Sequence, residues 1–145
     1  MDWRWRGRSR LSRLSRRRAA LAQTEDQGNA AFYRFLPRRR PRESGDLASF
    51  GGRLEALAVR GRPNFDANTA EPGQTFQVEW VKVEEPNPPA NAVRVEAQSK
   101  GAAIFDRTEG AGTADDRIYF DCTTGGEAQG ASCGSSGRAA ATAAS

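Results

Sequence analysis

Histidine is absent from this sequence of 145 residues. Its absence removes the commonest general base and the commonest transition-metal ligand, so any metal must be held by carboxylates, carbonyls, hydroxyls or thiolates. Cysteine is scarce: Cys122 and Cys133 stand eleven positions apart, which fits neither a CxxC redox pair nor a zinc knuckle. A disulfide between them stays open, and the redox compartment with it. Apolar residues are thin at 37%, below the roughly 45–50% of a typical globular chain when glycine is counted. No apolar run approaches the roughly 18 residues of a membrane-spanning helix.

Charge is plentiful and unevenly spread. Met1 to Arg42 carries thirteen arginines against Asp2, Glu25 and Asp26, a net of +10, and the remainder carries −6, giving the overall +4. The basic character therefore belongs to an N-terminal arm attached to a mildly acidic body. Arginines this dense repel one another and keep Met1–Arg18 extended unless an anionic partner neutralises them. Trp3 and Trp5 in that arm could stack on bases. Ser15-Arg16-Arg17-Arg18-Ala19-Ala20-Leu21 resembles a twin-arginine export signal, but the apolar run from Ala19 to Ala22 falls short of the ~7–15 residues such a signal needs.

Beyond the arm the patterning is that of short strands. Ala31–Leu36 reads as a strand closed by Pro37. Arg53–Val59 alternates, with Leu54, Ala56 and Ala58 on one face, between the turn signals Gly51-Gly52 and Gly61-Arg62-Pro63. Thr75–Val83 puts Phe76, Val78 and Trp80 on one face and Val81 and Val83 on the other. The prolines of Glu84–Ala90 mark a rigid loop, and Asn91–Ile104 reads as a short helix with Gly101 near its end. Arg107–Asp116 reads as a turn and Arg117–Cys122 as the last strand, followed by an alanine- and serine-rich tail with little capacity for structure. The expected fold is mainly β: antiparallel strands forming one to two blades of a β-propeller, with a short helix and disordered termini. The expected division is an arginine-rich disordered arm over 1–28, a partial propeller over 29–126 and a low-complexity tail over 127–145.

Four stretches, taken in order, carry a family resemblance. They are Phe32-Tyr33-Arg34-Phe35-Leu36-Pro37; Gly52-Arg53-Leu54-Glu55-Ala56-Leu57; Phe76-Gln77-Val78-Glu79-Trp80-Val81 with Glu85-Pro86-Asn87-Pro88; and Lys100–Gly110 followed by Ile118–Gly126. Together they resemble the PhoX-like secreted alkaline phosphatases and their uncharacterised relatives, which are large β-propellers, over about residues 30–126. The resemblance implies phosphomonoester hydrolysis in a complete parent, with calcium, and iron in some members, in the central funnel. It implies a secreted or periplasmic setting and a phosphomonoester as substrate partner. Glu109, in Arg107-Thr108-Glu109-Gly110, is similar to the family's Arg-x-Glu-Gly element and is the expected metal ligand. Arg107 is the expected phosphate-binding residue, with a structural salt bridge as its alternative role. Asp26 falls where relatives carry an acidic pair and is the second candidate ligand, while no catalytic group is assigned. Cys122, Trp80 and Tyr119 are expected to pack rather than to bind.

One blade and part of another supply too few carboxylates for a multi-metal site, so the chain is expected to be inactive alone. Shifting Gly130–Ser135 by two bases permits a strand of the type Arg-Ile-Leu-Trp-Glu, which suggests a frame-disrupted or truncated relative. Two readings from other classes stand behind this one: a nucleic-acid-binding protein working through its basic arm, and an interaction module with no chemistry.

Overall fold

The computed structural model of the chain describes residues 21–23, 27–39, 51–88, 92–114, 117–124, 132–136 and 140–144. The strands are β1 (Leu21–Gln23), β2 (Tyr33–Pro37), β3 (Gly52–Val59), β4 (Thr75–Val83), β5 (Thr108–Ala114), β6 (Arg117–Cys122), β7 (Ser132–Ser136) and β8 (Ala140–Ala144). Among the described residues, a short 3-10 turn spans Ala67–Thr69 and an α-helix, α1, spans Ala92–Ser99. The strands form an eight-stranded sheet in the order β1-β2-β3-β4-β8-β7-β6-β5, antiparallel at every step. It consists of two four-stranded meanders, β1–β4 and β5–β8, joined where Thr75, Phe76 and Gln77 pair with Thr142, Ala141 and Ala140. The mainly-β, antiparallel expectation with a short helix holds. No closed ring of blades is present among the described residues.

β4 occupies the residues its alternation indicates, and its two faces enter two different cores. Phe76, Val78 and Trp80 pack with Phe32, Leu57, Val59, Phe105, Ile118, Phe120 and Cys122, bringing side chains of both meanders together. Val81 and Val83 lie on the opposite face with Tyr33, Leu54, Ala56, Ala97 and Ala102, beneath α1. β3 therefore departs from its expected one-sided pattern: every residue from Leu54 to Val59 is buried. Its outward face is covered too, because β6 supplies one lid and α1 the other. The first core is held by rings. Phe32 stacks on Phe120 with centroids 4.1 Å apart, and Phe105 meets Phe120 edge-on at 5.3 Å.

α1 is shorter than expected, and its end has a local cause. Gly101 adopts φ +89°, and the Ala102 amide returns to the Ala97 carbonyl at 3.0 Å. That left-handed residue after the last helical turn is the usual glycine stop. Asn64 secures it from outside, its Nδ2 donating 2.6 Å to the Gln98 carbonyl. From Ala102 the chain is extended, with Ile104 and Phe105 bridging to Asp66 and Ala30. Within the same last turn of α1, Glu96 accepts from the backbone amides of Glu84 and Glu85 at 2.7 and 3.1 Å and from Lys100 Nζ at 2.6 Å. The Lys100 hydrogen bond first, and the Glu84 amide after it, pull the Glu96 carboxyl down to about 2. The proline-bearing loop is thereby fastened to the helix.

Two further expectations are corrected. Arg107–Asp116 is not a turn, since its residues Thr108–Ala114 form β5 against β6. The tail after Gly126 is not without structure: Ser132–Ser136 pairs with β6 and Ala140–Ala144 with β7. Both segments are poor in strand-forming side chains, and their strands rest on the hydrogen-bond ladders of their neighbours. Among the described residues no helix is long and apolar enough to cross a membrane, which leaves β-barrels unaddressed.

Candidate functional site

Arg107-Thr108-Glu109-Gly110 opens β5, and three constraints fix it. Arg107 stands at φ +52°, a left-handed conformation uncommon for a residue with a side chain. Backbone hydrogen bonds hold it there: its amide donates 3.0 Å to the Gln27 carbonyl, and its carbonyl accepts from the Thr123 amide at 3.0 Å. Immediately before it, Asp106 is clamped, Oδ1 accepting from the Asn29 amide at 3.0 Å and Oδ2 from Asn68 Nδ2 at 2.8 Å. Thr108 is fully buried.

The third constraint is a β-bulge. Thr108 pairs with Cys122 and Ala111 with Phe120, so Glu109 and Gly110 together oppose the single residue Asp121. Bulges add twist and re-aim side chains, and they recur beside active sites. A Cβ at Gly110 would meet the tip of the Asp121 carboxylate, so the two positions lie in close contact across the bulge. The bulge thus brings the strand segment bearing Glu109 against Asp121. Arg107 Nη2 lies 3.8 Å from Glu109 Oε1, with both side chains roughly half exposed (48% and 43%). The structure thus places Arg107 and Glu109 side by side at the start of β5. Asp26, the other expected ligand, lies outside the described residues.

Carboxylate oxygens are the right donors for a hard cation such as calcium, which takes about 6–8 of them. No group of three or more His, Cys, Asp or Glu side chains converges among the described residues. They fit one corner of an oxygen-rich metal site in kind and fall short of a whole one in number. Cys122 is buried in the first core with Phe120 and Ile118, the packing role expected of it. Trp80 packs against the same core.

A second constellation escaped the sequence reading. Glu55, in the middle of β3, is buried and carries two arginines. Arg34, its partner across the ladder, donates through Nε and Nη2 to Oε2 at 2.7 and 2.6 Å, and Arg53 donates through Nε to Oε1 at 2.6 Å. The Arg34 guanidinium also lies 4.2 Å above the Trp80 ring. Alternation alone makes Glu55 look solvated. The available signal was Arg53-x-Glu55, which puts both residues on one face of the strand.

Comparison with protein families matches residues 12–143 to the family "Alkaline phosphatase PhoX". Comparison with solved structures finds "Pseudomonas fluorescens PhoX in complex with vanadate, a transition state analogue", at 16% sequence identity and a TM-score of 0.60. The match covers 92% of this chain and 30% of that one, so the chain spans under a third of that structure's length. At this identity the likeness is one of fold. No curated protein matches the chain.

Proposed function

The chain belongs to the PhoX alkaline phosphatase family, and on that premise we propose that it is part of a β-propeller phosphomonoester hydrolase requiring calcium and, in some relatives, iron. Membership implies metal cofactors. The residues proposed to serve them here are Glu109, as one metal-ligating carboxylate, and Asp26, as a second. A bound divalent cation would neutralise charge that develops on a transferring phosphoryl group. Arg107 is proposed to face the phosphate. Its guanidinium is about half exposed and lies beside the Glu109 carboxylate. The vanadate held by the Pseudomonas fluorescens protein supports this assignment of ligand chemistry.

The observation that carries the reading is the bulge at Glu109 and Gly110 against Asp121, braced by the left-handed Arg107. A strained, over-determined backbone at a charged pair is a site feature more often than a packing one. Alone, the chain is proposed to hydrolyse no phosphomonoester, because the remaining oxygen ligands must come from other parts of a larger protein. The proposed setting is secreted or periplasmic.

Calcium titration of the chain, followed by backbone amide NMR, tests the proposal. Weak shifts centred on Glu109, Gly110 and Asp121, lost in Glu109→Gln, are the expected result. Shifts elsewhere, or shifts that persist in Glu109→Gln, would remove Glu109 from the metal set. Turnover of a chromogenic phosphomonoester by the chain alone would overturn the proposed dependence on a larger protein.

A further inference from the structure

The Glu55 constellation is over-supplied with positive charge. One arginine neutralises a buried carboxylate; Glu55 holds two, and Lys82 stands opposite it in the β3–β4 ladder. Lys82 Nζ pairs with Glu84 Oε2 at 2.6 Å. Among the described residues, three cations thus face two carboxylates on this sheet face.

The arrangement is also pre-oriented. Arg34 is fixed along one edge by Glu55 and on its face by Trp80, so most of its side-chain entropy is lost on folding rather than on binding. Arg53 Nε lies 2.6 Å from Glu55 Oε1, and about half of its side chain is exposed. Exposure rises outward from the carboxylate: 8% for the Glu55 side chain, 28% for Arg34 and 48% for Arg53. A buried anion thus anchors two guanidinium groups whose outer edges reach solvent. Planar guanidinium forks match the oxygens of a tetrahedral oxyanion.

We propose that Arg34, Arg53 and Lys82 form an oxyanion platform for phosphate, free or as a monoester, on the face of β2–β4, separate from Arg107 and Glu109. Glu55 is its positioning residue. It holds the guanidinium groups in register and does not touch the ligand. The platform does not depend on the metal-site proposal, since none of its residues belongs to that site.

The test is NMR of the arginine Nε–Hε resonances in the full chain, titrated separately with inorganic phosphate and with phenyl phosphate. Saturable shifts of Arg34 and Arg53 are expected, weakening at least about tenfold in Arg53→Ala and with rising salt. Equal affinity for the two probes identifies free phosphate as sufficient, and tighter phenyl phosphate identifies a monoester; either supports the platform. Shifts confined to Arg107 or to the N-terminal arginines overturn it. So does binding that survives Arg53→Ala, or an absence of saturable shifts in a variant-free chain whose amide spectrum is folded.

Discussion

Phe32→Ala is the sharpest probe of how the two meanders hold together. Phe32 precedes β2, is fully buried, and lies between the Phe120 ring at 4.1 Å and the Trp80 ring at 6.4 Å. Its carbonyl accepts from the Leu57 amide at 2.9 Å, so the backbone stays in place and the cavity cannot easily collapse. A phenylalanine-to-alanine change in such a core costs about 3–5 kcal/mol, of which the stacked pair accounts for about 0.5–1.5 kcal/mol beyond area burial. Total stability of a domain is about 5–15 kcal/mol, so the variant loses a large share of it. With a urea slope of about 1–3 kcal/mol per molar, the midpoint should fall by roughly 2 M. Far-UV circular dichroism against urea measures it. Phe120→Ala and the double variant complete a cycle, whose coupling should reach about 1 kcal/mol because the residues touch. A loss below about 1 kcal/mol, or simple additivity, would refute packing of the two meanders through these rings.

Gly52→Ala should cost about 1–3 kcal/mol, because the new methyl overlaps the Leu36 carbonyl oxygen, which is backbone and cannot turn aside; a melting temperature equal to the parent's would show that the β2–β3 ladder has room to spare. Gly101→Ala puts a side chain at φ +89° and should destabilise by about 1–2 kcal/mol, with loss of amide protection concentrated in α1; even loss across the chain would contradict the local cause. Glu96 has its folded pKa lowered from 4.5 to about 2, so its contribution is full above 4.5 and fades as pH falls towards 2. Glu96→Gln should therefore lower urea stability at pH 7, the gap to the parent narrowing through that window. A gap constant from pH 6 to pH 2.5 would show that the carboxylate charge does not fasten the proline-bearing loop.

Strand β4 was legible because Phe76, Val78 and Trp80 alternate cleanly with polar residues, and both faces do what their side chains dictate. The start of α1 was legible from the loop prolines, but the expected run to Ile104 overran the stop that Gly101 imposes. β5 was not. Thr-Glu-Gly-Ala-Gly-Thr-Ala has few β-branched or aromatic side chains and two glycines, so local chemistry reads as turn while the strand comes from pairing with β6. β7 and β8 were missed for the same reason, since Ser-Cys-Gly-Ser-Ser and Ala-Ala-Thr-Ala-Ala have backbone to offer a neighbour and little else. Of the proposed site, Arg107 and Glu109 were singled out through the family resemblance alone. The bulge that sets Glu109 against Asp121 is a property of register, which no spacing along one strand reveals. Glu55 was hidden by a similar limit: burial of a carboxylate depends on Arg34, which arrives from another strand.

The joint between β4 and β8 shapes the order of assembly. Within each meander most strands pair with the strand next in sequence, whereas Thr75 must find Thr142 across nearly half the chain. Closing a loop of that length costs more entropy than forming a hairpin, and contacts of high sequence separation slow folding. Apart from the β4 edge that takes β8, the first four strands find their ladder partners among themselves. During synthesis they can settle while the second half is still being made, leaving the β4 edge open until the last strand docks. Misassembly should therefore begin at that edge, through pairing of β4 with a foreign strand before β8 arrives.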